Sequence, residues 1–549
     1  MAWILQPRTP SAHTDYSHCP KLEGMNLEIL DSTLRDGALA GDVNLSTEDK
    51  LRIAPLIDSL GVTYIEGGWA SVFPADLEFF TRAKELNLRA RLVAFGATRK
   101  PETNVQKDRG LELLLRCEAP TLSVYGKVWG LHVEKVLRTS LEENLKMLSS
   151  SVAFLRESGR EVILMAEHFF DALRDSPDYA LEFIKLASDA GANTIVLADS
   201  NGSSLPAQIR DGVSRALEVS AVRIGVHLHN DFGLALANAL EAVSAGATHV
   251  QGSVNGYGAR NGITDLTALL PILKLKLGVD VVTDTQLARL TPVALEVAEL
   301  VGKSEQMDDA PFVGRRVFEH KTDTHVAAVL SSPEAYEPIA PERVGNTRRL
   351  VIPGVSRPAY LGRIAEQYGV NLQDGSASSG RILQELKRLE DEGYSFEDAP
   401  ASLELALGQL TGRFAKVLSV ERVRIFDAIR GRDRPVVEAS LSVKVGLEEE
   451  YVAAESYGPV KALLKAIKAA LALSQDADLA AYSASLEAVS FRVRSVNRRS
   501  EELRARTAIT MTDGQRDWTC VGISGDLLQA CWKALLDGVE YGIATRAGA

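Results

Sequence analysis

Residues 161–230 read EVILMAEHFFDALRDSPDYALEFIKLASDAGANTIVLADSNGSSLPAQIRDGVSRALEVSAVRIGVHLHN. Three short apolar runs, EVILMAE (161–167), TIVLADS (194–200) and IGVHLHN (224–230), are separated by longer amphipathic segments. A strand buried on both faces reads as a continuous apolar run, the mark of a parallel sheet covered by helices. Each run closes on polar residues: Glu167, then Asp199 and Ser200, then His227 and His229.

The pattern continues outward. LEILDST (27–33), TYIEGGWA (63–70), RLVAFG (91–96) and TLSVYGK (121–127) precede it, and HVQGSVN (249–255) follows. Eight runs spaced by 25–40 residues predict an α/β fold, a (β/α)8 TIM barrel over residues 26–290, near the typical length of about 250 residues for such a barrel. A doubly wound open sheet is the competitor, but no GxGxxG fingerprint follows a run. Between the runs lie segments such as STEDKLRIAPLIDSLG (46–61), where Ser46 and Glu48 cap and charge a helix start and Leu51, Ile53, Leu56 and Ile57 form an apolar face. Asp31, Glu66, Glu167, Asp199, His227, His229 and Asn255 stand at the C-terminal ends of the runs, where a barrel carries its active site.

After Gly278 the alternation gives way to helical patterns, and residues 291–417 read as a helical connector or lid subdomain. From about Leu418, strand-like runs (VVEASLSVKVG, EEYVAAES) precede a helix, and a second round (EAVSFRVRSVN, ELRARTAITMTDG, RDWTCVGISG, then a helix) repeats the order. Residues 418–549 therefore read as a small α+β regulatory or dimerisation domain built of two similar units. Residues 1–25 read as a disordered or extended tail, whose apolar run of four residues is too short for a signal peptide. With 61 Lys+Arg against 73 Asp+Glu the chain carries a formal charge of −12, which supplies no field for nucleic acid or an anionic membrane. No apolar stretch has the length of a membrane helix, and a cytoplasmic protein is expected. Cys19, Cys117, Cys520 and Cys531 form no CxxC or zinc spacing and read as reduced structural thiols.

Two constellations carry chemistry. DSTLRDG (31–37) sets Arg35 beside Asp36, a fixed cation next to a hard oxygen ligand, suited to an oxo acid on a divalent metal; a structural salt bridge in a strand-to-helix turn explains the pair equally well. HLHND (227–231) places His227 and His229 two residues apart, on one face of a strand, where both reach one metal. AEHFFD with Glu167 and His168, ADSNG with Ser200 and Asn201, and VNGYGARNG with Asn255 and Asn261 are weaker signals at other strand ends. His325 and Tyr336 lie beyond the barrel segment, where they could close over a site as acid/base groups, although surface residues are the plainer reading.

The strings DSTLRDG, YIEGGW, RLVAFG, AEHFFD, HLHND, NGYG, HVAAVL, PERVGNTRR and EGYSFEDAPASLEL, in this order, resemble the 2-isopropylmalate, homocitrate and citramalate synthase family, with the citramalate synthase branch the nearest. The resemblance implies an acyltransferase: a metal-dependent Claisen condensation of acetyl-CoA with a 2-oxo acid, pyruvate foremost, followed by thioester hydrolysis. It makes Asp36, His227 and His229 ligands of a divalent Mg, Mn or Zn ion, and Arg35 the group that holds the developing oxyanion. It assigns Ser200, Glu66 and His132 to substrate binding, Glu167 to catalysis, and His325 with Tyr336 to proton transfer from the partner subunit of a homodimer. It further implies an amino-acid effector, isoleucine, at the C-terminal domain.

The chain departs from that pattern in several places. Leu39 stands where the family has Gln, Ala259 where it has Glu, and Ile263 where it has a metal-binding Asn; HKTDTH and PGVSRPAY replace Gly-containing segments. Asn261 is the candidate replacement ligand, with Asp265 or water as alternatives. Two further functions remain open on this reading: a carbon–carbon lyase or aldolase using the same metal-enolate chemistry, or a non-catalytic regulatory paralogue.

Overall fold

The computed structural model describes residues 22, 24–320, 323–350, 377–394, 396, 399–428, 436–445, 448–473, 476–496 and 503–546. Nearly all of the expected tail, Cys19, the PGVSRPAY segment and Lys321 and Thr322 of HKTDTH lie outside the described residues. Each of the eight apolar runs contains one strand: β1 Glu28–Asp31, β2 Tyr64–Gly68, β3 Arg91–Ala97, β4 Thr121–Lys127, β5 Glu161–Glu167, β6 Thr194–Asp199, β7 Arg223–Leu228 and β8 His249–Gly252. They form a closed barrel in sequence order, and β8 pairs in parallel with β1 from Glu28↔His249 to Asp31↔Gly252.

Alternate residues on these strands face two environments. Leu30, Tyr64, Val93, Phe95, Ile163, Met165, Val196 and Ala198 form one buried cluster inside the barrel. Their neighbours Ile29, Ile65, Ala94, Val162, Leu164, Ile195 and Leu197 join the larger core under the surrounding helices. The helix Thr47–Asp58 shows how that layer is made. Ser46 and Asp49 form a reciprocal capping box, Glu48 adds charge to the first turn, and Ile53 and Ile57 are fully buried while Leu51 and Leu56 are only partly so.

The N-terminal end of the barrel is closed by the first residues of six strands. The Tyr64 hydroxyl donates to Glu161 at 2.8 Å, Thr121 donates to the same carboxylate at 2.7 Å, and Arg91 reaches it at 2.9 Å. Arg223 donates to Glu28 at 2.8 Å. These interlocked charges sit where strand ends converge and leave the opposite end free for loops.

The described residues fall into two compact units, 1–319 with 332–349 and 320–331 with 350–549. The stretch 291–417, read from sequence as one connector, is thus shared between them. In the second unit β9 Leu418–Ala428, β10 Val436–Val445 and β11 Glu448–Ser456 form one antiparallel sheet followed by the helix Pro459–Ala472. β12 Glu487–Val496, β13 Arg504–Thr512 and β14 Asp517–Ser524 form another, followed by the helix Leu527–Ala544. The two rounds read from sequence are there; the strand Leu418–Ala428 is an addition, because its alternation of charged and apolar residues gives no continuous apolar run. Among the described residues no helix is long and apolar enough to cross a membrane.

Glu540, buried on the last helix, accepts the backbone N–H groups of Val417 and Leu418 at 3.1 and 2.9 Å, joining the second round to the start of the first. Burial raises its carboxyl above the ordinary value, against the pull of these donors. Glu540→Ala should orphan both amides and lower the unfolding free energy of this unit by about 1–3 kcal/mol per unsatisfied group. Glu540→Gln keeps an acceptor and should lose less; differential scanning calorimetry of the two variants measures the difference.

Candidate active site

At the end of β1 the chain turns so that Ser32, Arg35 and Asp36 are all buried. Arg35 lies between two carboxylates: its Nε donates to Glu66 at 2.7 Å and its Nη1 to Asp36 at 2.7 Å. Ser32 donates to the same Glu66 oxygen at 2.6 Å and accepts from the Asp36 amide at 3.2 Å. The guanidinium rests on the face of Phe95, 4.1 Å from the ring centre, and Phe95 is in turn flanked by Trp69 and Tyr125. Arg35 Nη2, Glu66 Oε1 and Trp69 Nε1 are buried without a hydrogen-bond partner. Unsatisfied buried groups are costly, so three of them at a barrel mouth mark a place for a polar ligand.

Asp36 connects this group to the histidines. Its Oδ1 accepts the Ala259 amide at 3.0 Å and its Oδ2 lies 3.6 Å from His227 Nε2. One ligand atom each from Asp36, His227 and His229 lie within 4.8 Å of one another, and all three residues are buried. Burial works to raise the Asp36 carboxyl, but the Arg35 guanidinium and the two imidazoles hold it far below the usual carboxylate range. Burial, with His227 alongside, pushes the His229 imidazole down to about 4, so it is neutral near pH 7 as a ligand must be. Its Nδ1 is buried and makes no hydrogen bond. A carboxylate and two imidazoles, one with an orphaned nitrogen, fit a divalent cation.

The buried trio comprises three of the four expected ligands. Asn261 is exposed and donates its amide to the Asn230 carbonyl at 2.8 Å, while Asp265 caps the helix Leu266–Leu275 and accepts the Thr267 amide and hydroxyl. Ile263, 1% exposed, forms an isolated backbone bridge with His229. A Cβ at Gly258 would meet Asp36 Oδ1 at 2.9 Å and Ile263 Cγ2 at 3.1 Å, so only glycine lets this loop pass between them. An isoleucine methyl therefore stands close beside the trio, where it cannot donate to a metal.

Around the rim, Glu167 is ion-paired with Lys127 at 2.6 Å, and the Ser200 hydroxyl accepts the His168 amide at 3.0 Å. His132 packs edge-on against His168 with ring centres 4.3 Å apart, and Trp129 covers both. Burial and the neighbouring His168 lower the His132 pKa. His168 holds a left-handed backbone (φ 61°) and contacts Asp171 at 3.0 Å, which also accepts Asn201 at 2.8 Å. His325 lies half-buried on the helix Asp323–Ser331 in the second unit, and Tyr336, largely exposed, belongs to the first. Leu39 is exposed.

Sequence reasoning passed over Phe95, Trp69 and Tyr125, which look like ordinary core residues, and Gln251, which accepts a contact from His227 at 3.0 Å. The polar pair His249 and Gln251, two apart within a buried run, was a signal available to the same reasoning that selected His227 and His229.

Residues 26–297 match the family model described as HMGL-like, 312–394 the homocitrate synthase post-HMGL domain-like model, and 399–543 the LeuA allosteric (dimerisation) domain. The closed barrel is thus an HMGL-like one. The chain is 40% identical over 537 residues to the (R)-citramalate synthase of Synechocystis sp., covering 94% of this chain and 96% of that one. It is 38% identical over 517 residues to that of Aquifex aeolicus, covering 93% and 97%. Against the 2-isopropylmalate synthase of Methanocaldococcus jannaschii the identity is 28% over 537 residues, covering 96% and 97%. The chain belongs to the citramalate synthase branch of the 2-isopropylmalate synthase family, and is an enzyme of the acyltransferase type.

Asp31 lies beneath this site, wholly buried, accepting the amide and hydroxyl of Thr33. Burial pushes its carboxyl up to about 7, against the Thr33 bonds that favour the charged form. The folded state therefore holds this proton more tightly than the unfolded chain. Its contribution is complete below about pH 4 and lost as pH rises to about 7. Thermal unfolding across that window should show the native protein losing stability and Asp31→Asn following a flatter curve.

Proposed function

We propose that this chain condenses acetyl-CoA with a 2-oxo acid, pyruvate foremost, in a metal-dependent Claisen reaction, and that hydrolysis of the CoA thioester then yields citramalate. The observation that carries the reading is the buried Asp36, His227 and His229 trio in contact with Arg35, whose Nη2 has no partner. Asp36, His227 and His229 would hold a divalent Mg, Mn or Zn ion, which when bound supplies Lewis-acid polarisation of the oxo-acid carbonyl.

The chain's own residues would do the rest. A carbon–carbon bond forms between the thioester methyl carbon and the keto carbon: a proton would pass from the methyl group to the His325 and Tyr336 pair of the partner subunit, the carbonyl π bond opens, and the keto oxygen gains the negative charge. Arg35, held at Nε by Glu66 and at Nη1 by Asp36, offers its unpartnered Nη2 to that oxygen. Ser200, whose oxygen accepts the His168 amide, keeps its own proton to donate to the substrate carboxylate. Trp69, Phe95 and Tyr125 form an aromatic wall beside Arg35 against which the methyl group of pyruvate would pack. Glu167, at the rim, would act as a catalytic carboxylate and His132 as a further substrate contact, and His325 with Tyr336 would complete the neighbouring site in a homodimer. The C-terminal unit would bind an amino-acid effector, isoleucine.

The test is CoA release from acetyl-CoA with a panel of 2-oxo acids led by pyruvate, with and without chelator and added Mg²⁺, Mn²⁺ or Zn²⁺, the product identified by mass. Metal-dependent release with pyruvate is the expected result. No release with any acid, together with cleavage of a hydroxy-acid thioester, would instead support a lyase.

Two variants sharpen this. Ile263→Asn should restore an amide ligand and tighten metal binding by about 10-fold, an effect of the size that single shell changes produce, read by titration calorimetry. Mixing His325→Ala chains with Asp36→Ala chains, each inactive alone, should recover part of the activity if the pair acts across a dimer; sites complete within one chain would show no rescue.

A further inference from the structure

A line of buried polar groups runs from the metal-site histidine toward the closed end of the barrel, and none of the chemistry above uses it. The parallel register of β7 and β8 sets His227 beside Gln251 and Gly225 beside His249. His227 Nδ1 lies 3.0 Å from Gln251 Oε1, Gln251 Nε2 lies 3.4 Å from His249 Nε2, and His249 Nδ1 stands 3.7 Å from Glu28 Oε2. His249 and Gln251 are both wholly buried. A Cβ at position 225 would meet His249 Cβ and Cδ2 at 2.8 Å, so the ring has its place only because β7 carries glycine there.

The direction of the chain is set from its far end. Glu28 receives Arg223 at 2.8 Å, and a carboxylate so placed can only accept. Burial works to raise its carboxyl, but His249, Arg223 and Tyr64 together hold it below the ordinary value. His249 Nδ1 makes no hydrogen bond at this distance, but the negative charge of Glu28 favours a proton there over a lone pair, which leaves Nε2 to present the lone pair. Gln251 must turn its NH₂ to that lone pair, which leaves its carbonyl oxygen for His227. His227 must donate from Nδ1, and its Nε2 lone pair faces Asp36. With Gln251 reversed, His227 would carry the proton on Nε2 and present N–H where the trio needs a lone pair.

We propose that Gln251 and His249 are positioning residues that lock His227 in its Nδ1–H tautomer, with Glu28 at the opposite end of the barrel setting the polarity of the relay. The proposal rests on the reading of Asp36, His227 and His229 as a metal site. Outer-shell partners of this kind change metal affinity by about 10–100-fold when removed.

The experiment is calorimetric titration of chelator-stripped full-length protein with Mn²⁺ and with Zn²⁺, beside thermal unfolding of the metal-free chains. Gln251→Leu should weaken binding by about 10–100-fold. Gln251→Glu still accepts from His227 Nδ1–H and should bind close to the native level, although its buried carboxylate should make it less stable than Gln251→Leu. Opposite orders of affinity and stability are what a merely structural role would not give. His249→Phe, which keeps Gln251 but removes its acceptor, should show a smaller loss of affinity in the same direction. Native affinity in both Gln251→Leu and His249→Phe would overturn the proposal, as would affinities that simply follow stability. Asp36→Ala separates the two levels: if it binds metal as tightly as the native chain, the metal-site reading itself falls, whatever Gln251 does.

Discussion

Arg35 is buried between Glu66 and Asp36, at 2.7 Å from each, and the barrel mouth is arranged around that one cation. Charges removed from water are tolerated only when paired and hydrogen-bonded. Here the pairing is supplied by residues from β1 and β2, with Ser32 bonded to the shared Glu66 oxygen and Phe95 beneath the guanidinium plane. Two carboxylates against one guanidinium leave a negative charge over, and Asp36 presents it to His227 and His229. The same interaction that makes the turn stable therefore sets a surplus negative charge beside a guanidinium nitrogen that has no partner.

The scaffold keeps that arrangement rigid from both ends. Parallel pairing carries His227 and Gln251 into register, while the charged ring of Glu28, Tyr64, Arg91, Thr121, Glu161 and Arg223 closes the other end. Function lies on the loops after the strands, which explains how the Ala259 to Ile263 loop can change its chemistry without disturbing the barrel. Its Ala259 amide bonds Asp36, a contact any residue but proline could make, and Ile263 meets His229 through a backbone bridge. With three protein ligands, positions on a bound ion would remain open to water and substrate. The apolar corner would also exclude solvent, a change that bears on metal affinity and on substrate fit more than on fold.

The second unit is built on a different principle, two antiparallel sheets each packed by one helix. Its core is made by residues such as Leu441, Val443, Ile467, Leu471, Met511 and Val539, and Glu540 joins the two rounds through backbone amides. Repetition of one strand-and-helix plan made this architecture visible in sequence. The strand Leu418–Ala428 was not, because half-exposed strands interleave charged residues and so lack a continuous apolar run.

The eight strands were legible in the sequence, since a parallel strand buried on both faces must be apolar throughout, and so was the pairing of His227 with His229, since side chains two apart on a strand share a face; Asp36 came forward from its place beside Arg35 and from the family resemblance. Periodicity is a local property and survives without coordinates. The contacts between residues far apart in sequence were not legible there: that Glu66 shares Arg35 with Asp36, that Phe95 lies under the guanidinium, that Asn261 is exposed, and that Gln251, His249 and Glu28 line up behind His227. A buried glutamine or phenylalanine is indistinguishable in one dimension from core filling. Strand register and barrel closure turn it into a hydrogen-bond partner or a cation's platform.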